Sequence, residues 1–550
     1  MPAKRWVLIF AAAGIAACGS QTASGPAAVA CRSSVLTGIN LALGADMIVS
    51  ALADSGCLSF AANPGPDSVG YLIVPQVTSE APGDSFPFAL TGGSAPPAAA
   101  AAVAARRAQH SPWARLRQMG PVALRFAHNL AQHRAATASH IRATMRRAPA
   151  APVASPPAVG SERTFSVCAD YNCDVYKAVS ATVQAVGSHI AVYVDNTSPA
   201  PPSGLNTAQI DTLTGLFDTL YAIDTVAFGG VSDIDNNGVV IMLMTPVVNS
   251  LVTTAECYAG GYVAGYFNPI DLVTDSANSN DGEIFYTIVA DPSGKYSCAH
   301  DLSDLEAAIP TTFLHELEHV ICFNQHVLLR NGEEEDLWLD EALASYAEEL
   351  GGRYFLPDSV TFSNYLINVV SDAYSYMQNP PRHFLLQESD TVLADFGAGW
   401  LYIRYMVDQF GSGITLKLEE TNLTGTLNIA TQTGVSFGTT AGQWALANYV
   451  SDLPGFTAPA PLRYTSWSFR AVFASLSQQD PLDFPVAFPL SPLTSPGTQL
   501  RTSGYLDDGS GAYVEALQGP LAAGFSMYLN GNGSAISPLS GPQLDVVRIR

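Results

Sequence analysis

The periods of apolar and polar positions change along the chain and divide it into segments. In residues 31–95 the short apolar runs "DSVGYLIVPQV" and "DSFPFALTG", bounded by glycine and proline, predict a small N-terminal β-rich module. Within residues 161–310, runs rich in β-branched and aromatic residues at 189–196, 238–248 and 283–291 predict strands. Between them, Ile210, Leu213, Leu216, Phe217 and Leu220 recur at helical spacing over 206–224. From 311 to about 452 the helical period dominates. Residues 453–550, rich in Pro, Gly and Ser with short runs such as "AYVEAL" and "FSMYL", predict a C-terminal β-rich module.

Two segments depart from this pattern. Residues 1–18 carry Lys4 and Arg5, then an apolar run ending in "IAAC", which predicts an export signal of the lipoprotein type. Cys18 would then be acylated and would tether the protein to a membrane of the cell envelope; the alternative is a secreted protein with an incidental cysteine. Residues 96–160 contain no acid, place nine arginines between Arg106 and Arg147, and close with "APAAPVASPPAVG". They predict an exposed, cleavable connector or pro-segment, with helical pieces interrupted at Pro112 and Pro121. Such a segment could hold the following unit inactive until it is cut; a basic helix lying on anionic lipid is the other reading.

Composition narrows the picture. A chain of 550 residues implies two to four domains, and 48% hydrophobic against 13% charged residues excludes a wholly disordered chain. A net charge of −23 argues against nucleic acid as a partner. Export makes disulfides available, and neighbouring pairs would be Cys31–Cys57, Cys168–Cys173 and Cys257–Cys298, with other connectivities open. Cys322, left over among Val320, Ile321 and Phe323, is expected to be a buried, inert thiol.

The chemistry concentrates in "TTFLHELEHVICFNQH", Thr311 to His326. A helix turns about 100° per residue, so His315 and His319 share one face and can hold one zinc ion. Glu316, beside that face, is placed to act as general base on a water that zinc acidifies. His-Glu-x-x-His arises by chance about 0.006 times in a chain of this composition. A third ligand is needed. A histidine six residues after His319 is ruled out, because Gln325 stands there and His326 misses by one. The other route is an acid on the helix "DLWLDEALASYAEELGG": Glu341 is preferred, Glu348 lies two turns on along nearly the same face, and Asp340 points about 100° away.

"HELEH" followed by "WLDEALASYAEEL" resembles the gluzincin arrangement of zinc peptidases, and more closely the hyicolysin-type bacterial metallopeptidases. The likeness extends through "AVYVDN", "FGGVSDIDNNGVVIMLMTPVVNSL" and "GEIFYTIVADP" upstream and "FGAGWLYIRYMVDQFG" downstream, covering about 160–452. It implies an α+β chain of several domains: a gluzincin-like catalytic domain at 161–452, with a mixed sheet, an active-site helix and a helical subdomain, flanked by the β-rich modules. It also implies His315, His319 and Glu341 as zinc ligands, Glu316 as general base, and proteins or peptides as substrates. Thermolysin-like enzymes carry an aspartate four residues after the ligand glutamate; Ser345 stands there, so the groups that orient the histidines must come from elsewhere. An oxyanion donor is expected, with His383, Tyr365 and Tyr405 as undecided candidates. Substrate is expected to lie along a sheet edge of the 161–310 region.

Asp233, Asp235 and Asn237 have the spacing of a calcium loop, but Met244 occupies the twelfth position, so a polar turn is preferred over a calcium site. Two rivals to a zinc endopeptidase stand: a catalytically silent surface binding lipoprotein on the same fold, and an aminopeptidase.

Overall fold

The computed structural model describes residues 36, 38–52, 56–79, 82–93, 121–144, 155–274, 276–388 and 392–550. They form a mixed α+β chain with three sheets and twelve α-helices among the described residues. The predicted sites at Cys18 and Cys31 lie outside these residues.

The two β-rich segments are not separate modules, which corrects the expectation of one before and one after the catalytic part. Near the N-terminus lie β1 (Asp46–Ser50), β2 (Cys57–Phe60), β3 (Val69–Val77) and β4 (Ser85–Gly92). From the C-terminal stretch come β11 (Leu493–Pro496), β12 (Arg501–Asp507), β13 (Val514–Gln518), β14 (Phe525–Asn530) and β15 (Pro542–Arg548). They interleave into a five-stranded sheet, β1-β15-β3-β13-β11, and a four-stranded sheet, β12-β4-β14-β2. In each, strands from one segment fill the gaps left by the other, so the segments satisfy each other's backbone hydrogen bonds. All nine residues of β3 are buried because both its faces are covered. Tyr71, Ile73 and Val77 join the core between the two sheets, whereas Leu72 and Val74 join the core of the central body.

The central body opens with β5 (Glu162–Cys168), β6 (Tyr176–Val186) and β7 (Ile190–Asp195), followed by α2 (Thr207–Phe228) and β8 (Val240–Met244). Two short helices, α3 (Pro246–Asn249) and α4 (Thr254–Gly260), then lead to β9 (Gly265–Phe267) and β10 (Ile284–Thr287). The strand predicted over 238–248 stops early because Thr245 caps α3 and Pro246 takes its first position. The sheet order is β5-β6-β7-β8-β10-β9, parallel through β7, β8 and β10, with β9 antiparallel at one edge. The helix α5 (Leu302–Phe323) lies on this sheet, where Phe313 meets Phe217 of α2 and Phe285 of β10. A helical group follows: α6 (Leu337–Tyr354), α7 (Ser359–Gln378), α8 (Leu393–Phe410), α9 (Gly413–Glu419), α10 (Gly425–Thr433), α11 (Phe437–Val450) and α12 (Phe469–Gln479). The last of these lies inside the stretch expected to be all β.

The arginine-rich connector also differs from expectation. Its described part is the helix α1 (Pro121–Thr144), with Pro121 at its first position, and Pro112 lies outside the described residues. Phe126, Leu130, Arg134, Ala138 and Ile141 are buried, so this piece is packed and not an exposed strap. Cys168–Cys173 and Cys257–Cys298 are paired as expected, Cys57 is disulfide-bonded, and Cys322 is a buried free thiol.

Asp508 ties the body parts together. Its side chain accepts from the Ser79 backbone N–H at 2.8 Å, and its carbonyl accepts from Leu385 and Leu386. Burial pushes its carboxyl up to about 8. A raised folded-state pKa means that the folded chain prefers the protonated form, so its stabilising effect is complete below about pH 4 and is lost as pH rises towards 8. Replacing Asp508 by Asn should flatten the fall in melting temperature between pH 5 and pH 8; an unchanged slope would contradict this assignment.

Candidate metal centre

The helix α5 starts at Asp301, whose side chain caps the Ser303 and Asp304 backbone N–H groups. It brings His315 and His319 one turn apart on a buried face, with ring centroids 4.9 Å apart and planes at 86°. The packed helix α6 presents Glu341 to both rings. Glu341 Oε2 lies 3.2 Å from His315 Nε2, and Glu341 Oε1 lies 3.8 Å from His319 Nε2. One donor atom from each of the three residues falls within 4.8 Å of the others.

The far sides of the rings are also occupied. His315 Nδ1 lies 3.0 Å from Glu348 Oε1, and His319 Nδ1 lies 3.0 Å from Asp340 Oδ2. Carboxylates at Nδ1 fix each ring's orientation and favour the tautomer whose Nε2 lone pair faces Glu341. Three lone-pair donors then point at one buried spot, where the nearest group to Glu341 Oε2 is His315 Nε2 itself. Such an arrangement is repulsive unless a cation or an added proton sits in it. Two imidazoles and one carboxylate, with a side left open, are the donor set of a zinc site of the catalytic kind.

Glu316 sits beside this trio and accepts a hydrogen bond from Phe267 N–H of the edge strand β9 at 2.9 Å. Burial pushes its carboxyl above the ordinary value, opposed by His319, His315, Arg134 and that N–H. Burial also pulls Glu341 upward, but His315, His319 and Arg134 outweigh it and hold Glu341 below its usual range. His315, Glu316, Ser345 and Glu348 line one pocket with Tyr262–Tyr266, so the His315 side of the trio opens towards β9.

Glu348 and Asp340, the alternative third ligands, stand behind the rings at Nδ1, where they orient them. They fill the place left by Ser345, which lies on the pocket wall. Sequence reasoning missed Arg134. Its guanidinium, 2% exposed, bonds Glu334 and Asp340 at 2.7 Å each and reaches within 3.8 Å of Glu341. The signal available was a basic segment without acids next to a chain otherwise rich in them.

None of the three candidate oxyanion donors lines this pocket. Tyr405 donates its hydroxyl to Pro461 O, His383 lies beside Asp395, and Tyr365 packs against Phe355. Tyr262, Tyr266 and Asn368 are hydrogen-bonding groups on the wall instead. At the other predicted metal loop, Asp233 and Asp235 gather with Glu283 rather than with a residue of the loop's own end. Asp233 Oδ1 accepts from Gly238 N–H and Asp235 accepts from Asn237, as in a self-satisfied turn.

No family model matches the chain, and no curated protein matches it. Among the described residues no helix is long and apolar enough to cross a membrane.

Asp340 gives a direct test of the carboxylate behind His319. Asp340→Ala should weaken zinc retention roughly 10- to 100-fold in competition with a chelator. Unchanged retention would show that this carboxylate does not support a metal ligand.

Proposed function

We propose that the protein is an exported zinc-dependent endopeptidase of the hyicolysin type, with His315, His319 and Glu341 as metal ligands and Glu316 as general base. The observation that supports this reading best is the convergence of His315 Nε2, His319 Nε2 and Glu341 on one buried point, with Glu316 on its open side. When bound, zinc would supply a Lewis acid that acidifies a water and polarises the scissile carbonyl. Glu316, held by Phe267 N–H and surrounded by pocket wall, is placed to take the proton of the attacking water and pass it to the leaving amine. Glu348 and Asp340 hold the rings, so little reorganisation is required during the reaction. A substrate lying along the β9 edge would pass the metal trio in extended form. The cell-envelope placement through Cys18 belongs to the same proposal.

As folded, the chain fits a latent form of that enzyme. Phe126, Ala127 and Leu130 of α1 form one wall of the pocket, and Phe126 packs edge-on against Tyr266 of β9 at 5.2 Å. Further along, Ala138 and Ile141 pack with Phe267, and Arg134 reaches the acids around the metal trio. The helix therefore stands over the pocket that a substrate would need to enter.

Glu316→Gln should keep the bound zinc and lose at least about 100-fold in hydrolysis of casein and of peptides with blocked N-termini. Wild-type protein that, once α1 is released, cuts only free N-termini would instead indicate an aminopeptidase, and inactivity on every peptide even after release of α1 would favour the silent binding protein. For latency, a specific protease site placed within residues 145–154, together with one within 94–120, allows α1 to be released from folded protein. Cutting should raise peptidase activity, and a synthetic 121–144 peptide should suppress it again, less well when Arg134 is replaced by Ala. Equal activity before and after release would rule out α1 as an inhibitor.

A further inference from the structure

The stripe of α5 that carries His315 and His319 continues into a second set of donors. Cys322 and His326 are spaced as the two histidines are, four residues apart. Between them α5 gives way to a π-helical turn, Asn324–Leu329, which carries His326. Such turns change the direction of side chains within a helix and recur at functional sites. One donor atom each of Cys322, His326 and Glu419, the last residue of α9, lies within 4.8 Å of the other two. Glu318 faces Glu419 from α5. Cys322 is 1% exposed and the other three are fully buried.

What sets this cluster apart is the lack of partners. The carboxylate oxygens of Glu318 and Glu419 are buried with no backbone, amide or guanidinium donor, and face each other and the Cys322 thiol. His319 Nδ1, 3.5 Å from Glu318, is directed instead to Asp340 at 3.0 Å. His326 Nε2–H donates to Leu418 O at 3.1 Å, which leaves Nδ1 as a lone pair, also buried and unpartnered. A ring nitrogen tied to a backbone carbonyl, with the other free, is how a ligating histidine is commonly held. The neighbouring Glu335 differs, because it accepts from Gly425 N–H and Asn428 Nδ2. Carboxylates without donors persist in a protein interior when they share a proton or coordinate a metal.

We propose that Glu318, Cys322, His326 and Glu419 form a second, structural zinc site behind the first. Cys322, His326 and Glu419 gather as three donors, and Glu318 beside Glu419 would complete four, which leaves no open position, as in zinc sites that support a fold rather than catalyse. The thiolate and imidazole favour a zinc-like ion over calcium or magnesium. An ion there would fasten α9 and the π-helical turn to the back of the metal-binding helix. This proposal does not rest on the peptidase reading.

The test is metal content of the purified full-length chain, alongside visible spectra after cobalt replaces zinc. Wild type should hold two equivalents. His326→Ala should hold one, and a His315→Ala, His319→Ala double variant should hold the other. In the cobalt form a thiolate-to-metal absorption band should be present, should vanish in Cys322→Ser and should persist in the double variant. Because Cys322→Ser is nearly isosteric, the band reports ligation without requiring that a larger change be tolerated. A wild type with one equivalent, lost in the double variant and kept in His326→Ala, with no thiolate band, would overturn the proposal and leave a proton shared by Glu318 and Glu419. A chain that loses metal only on His326→Ala would support the second site while contradicting the first.

Discussion

The constraint on which this structure depends is the burial of acids around one face of α5. Asp340, Glu341 and Glu348 are at most 8% exposed and Glu316 lines the pocket beside them, around two imidazoles. Buried carboxylates are tolerated only where positive charge or hydrogen-bond donors face them. His315 and His319 supply part of that, Phe267 N–H supplies part, and Arg134 supplies a fixed cation from a distant stretch of chain. The remaining requirement is concentrated between two Nε2 atoms and Glu341, where the lone pairs converge. A divalent cation placed there would turn a costly arrangement into a stabilising one.

The rest of the fold can be understood as a frame for that face. The strands β9 and β10 give α5 an apolar seat, and α6 packs against α5 so that one helix presents Glu341, Asp340 and Glu348 to the two imidazoles. Below, the interleaved sheet containing β3 and β15 packs against α11, where Tyr513 donates to Ala445 O and Gln543 to Gly438 O. The chain's two ends thereby form one platform under the helical group. The pairing brings together residues more than 400 positions apart, such as Leu72 with Val547.

Much of the site was legible in the sequence because it is local. The His315–His319 spacing fixes a shared helical face, and spacing favoured Glu341 on the next helix while leaving Glu348 open. The strands over 189–196 and 283–291 and the helix over 206–224 were legible for the same reason, since period and composition are short-range signals. What could not be read was long-range. Nothing in "DSVGYLIVPQV" reveals that β13 and β15 will flank it, so two half-sheets looked like two modules. Arg134 looked like one of nine arginines in a linker, because its partners lie some 200 positions away. Glu348 looked like a rival ligand, because spacing places it on the correct face but does not say which side of the imidazole it meets.

The central claim is that His315, His319 and Glu341 enclose a zinc ion. The most direct measurement is anomalous diffraction on either side of the zinc absorption edge, from crystals of the full chain. An edge-dependent peak equidistant from the two Nε2 atoms and the Glu341 carboxylate is expected. An empty map at that point, in crystals grown with zinc present, would contradict it.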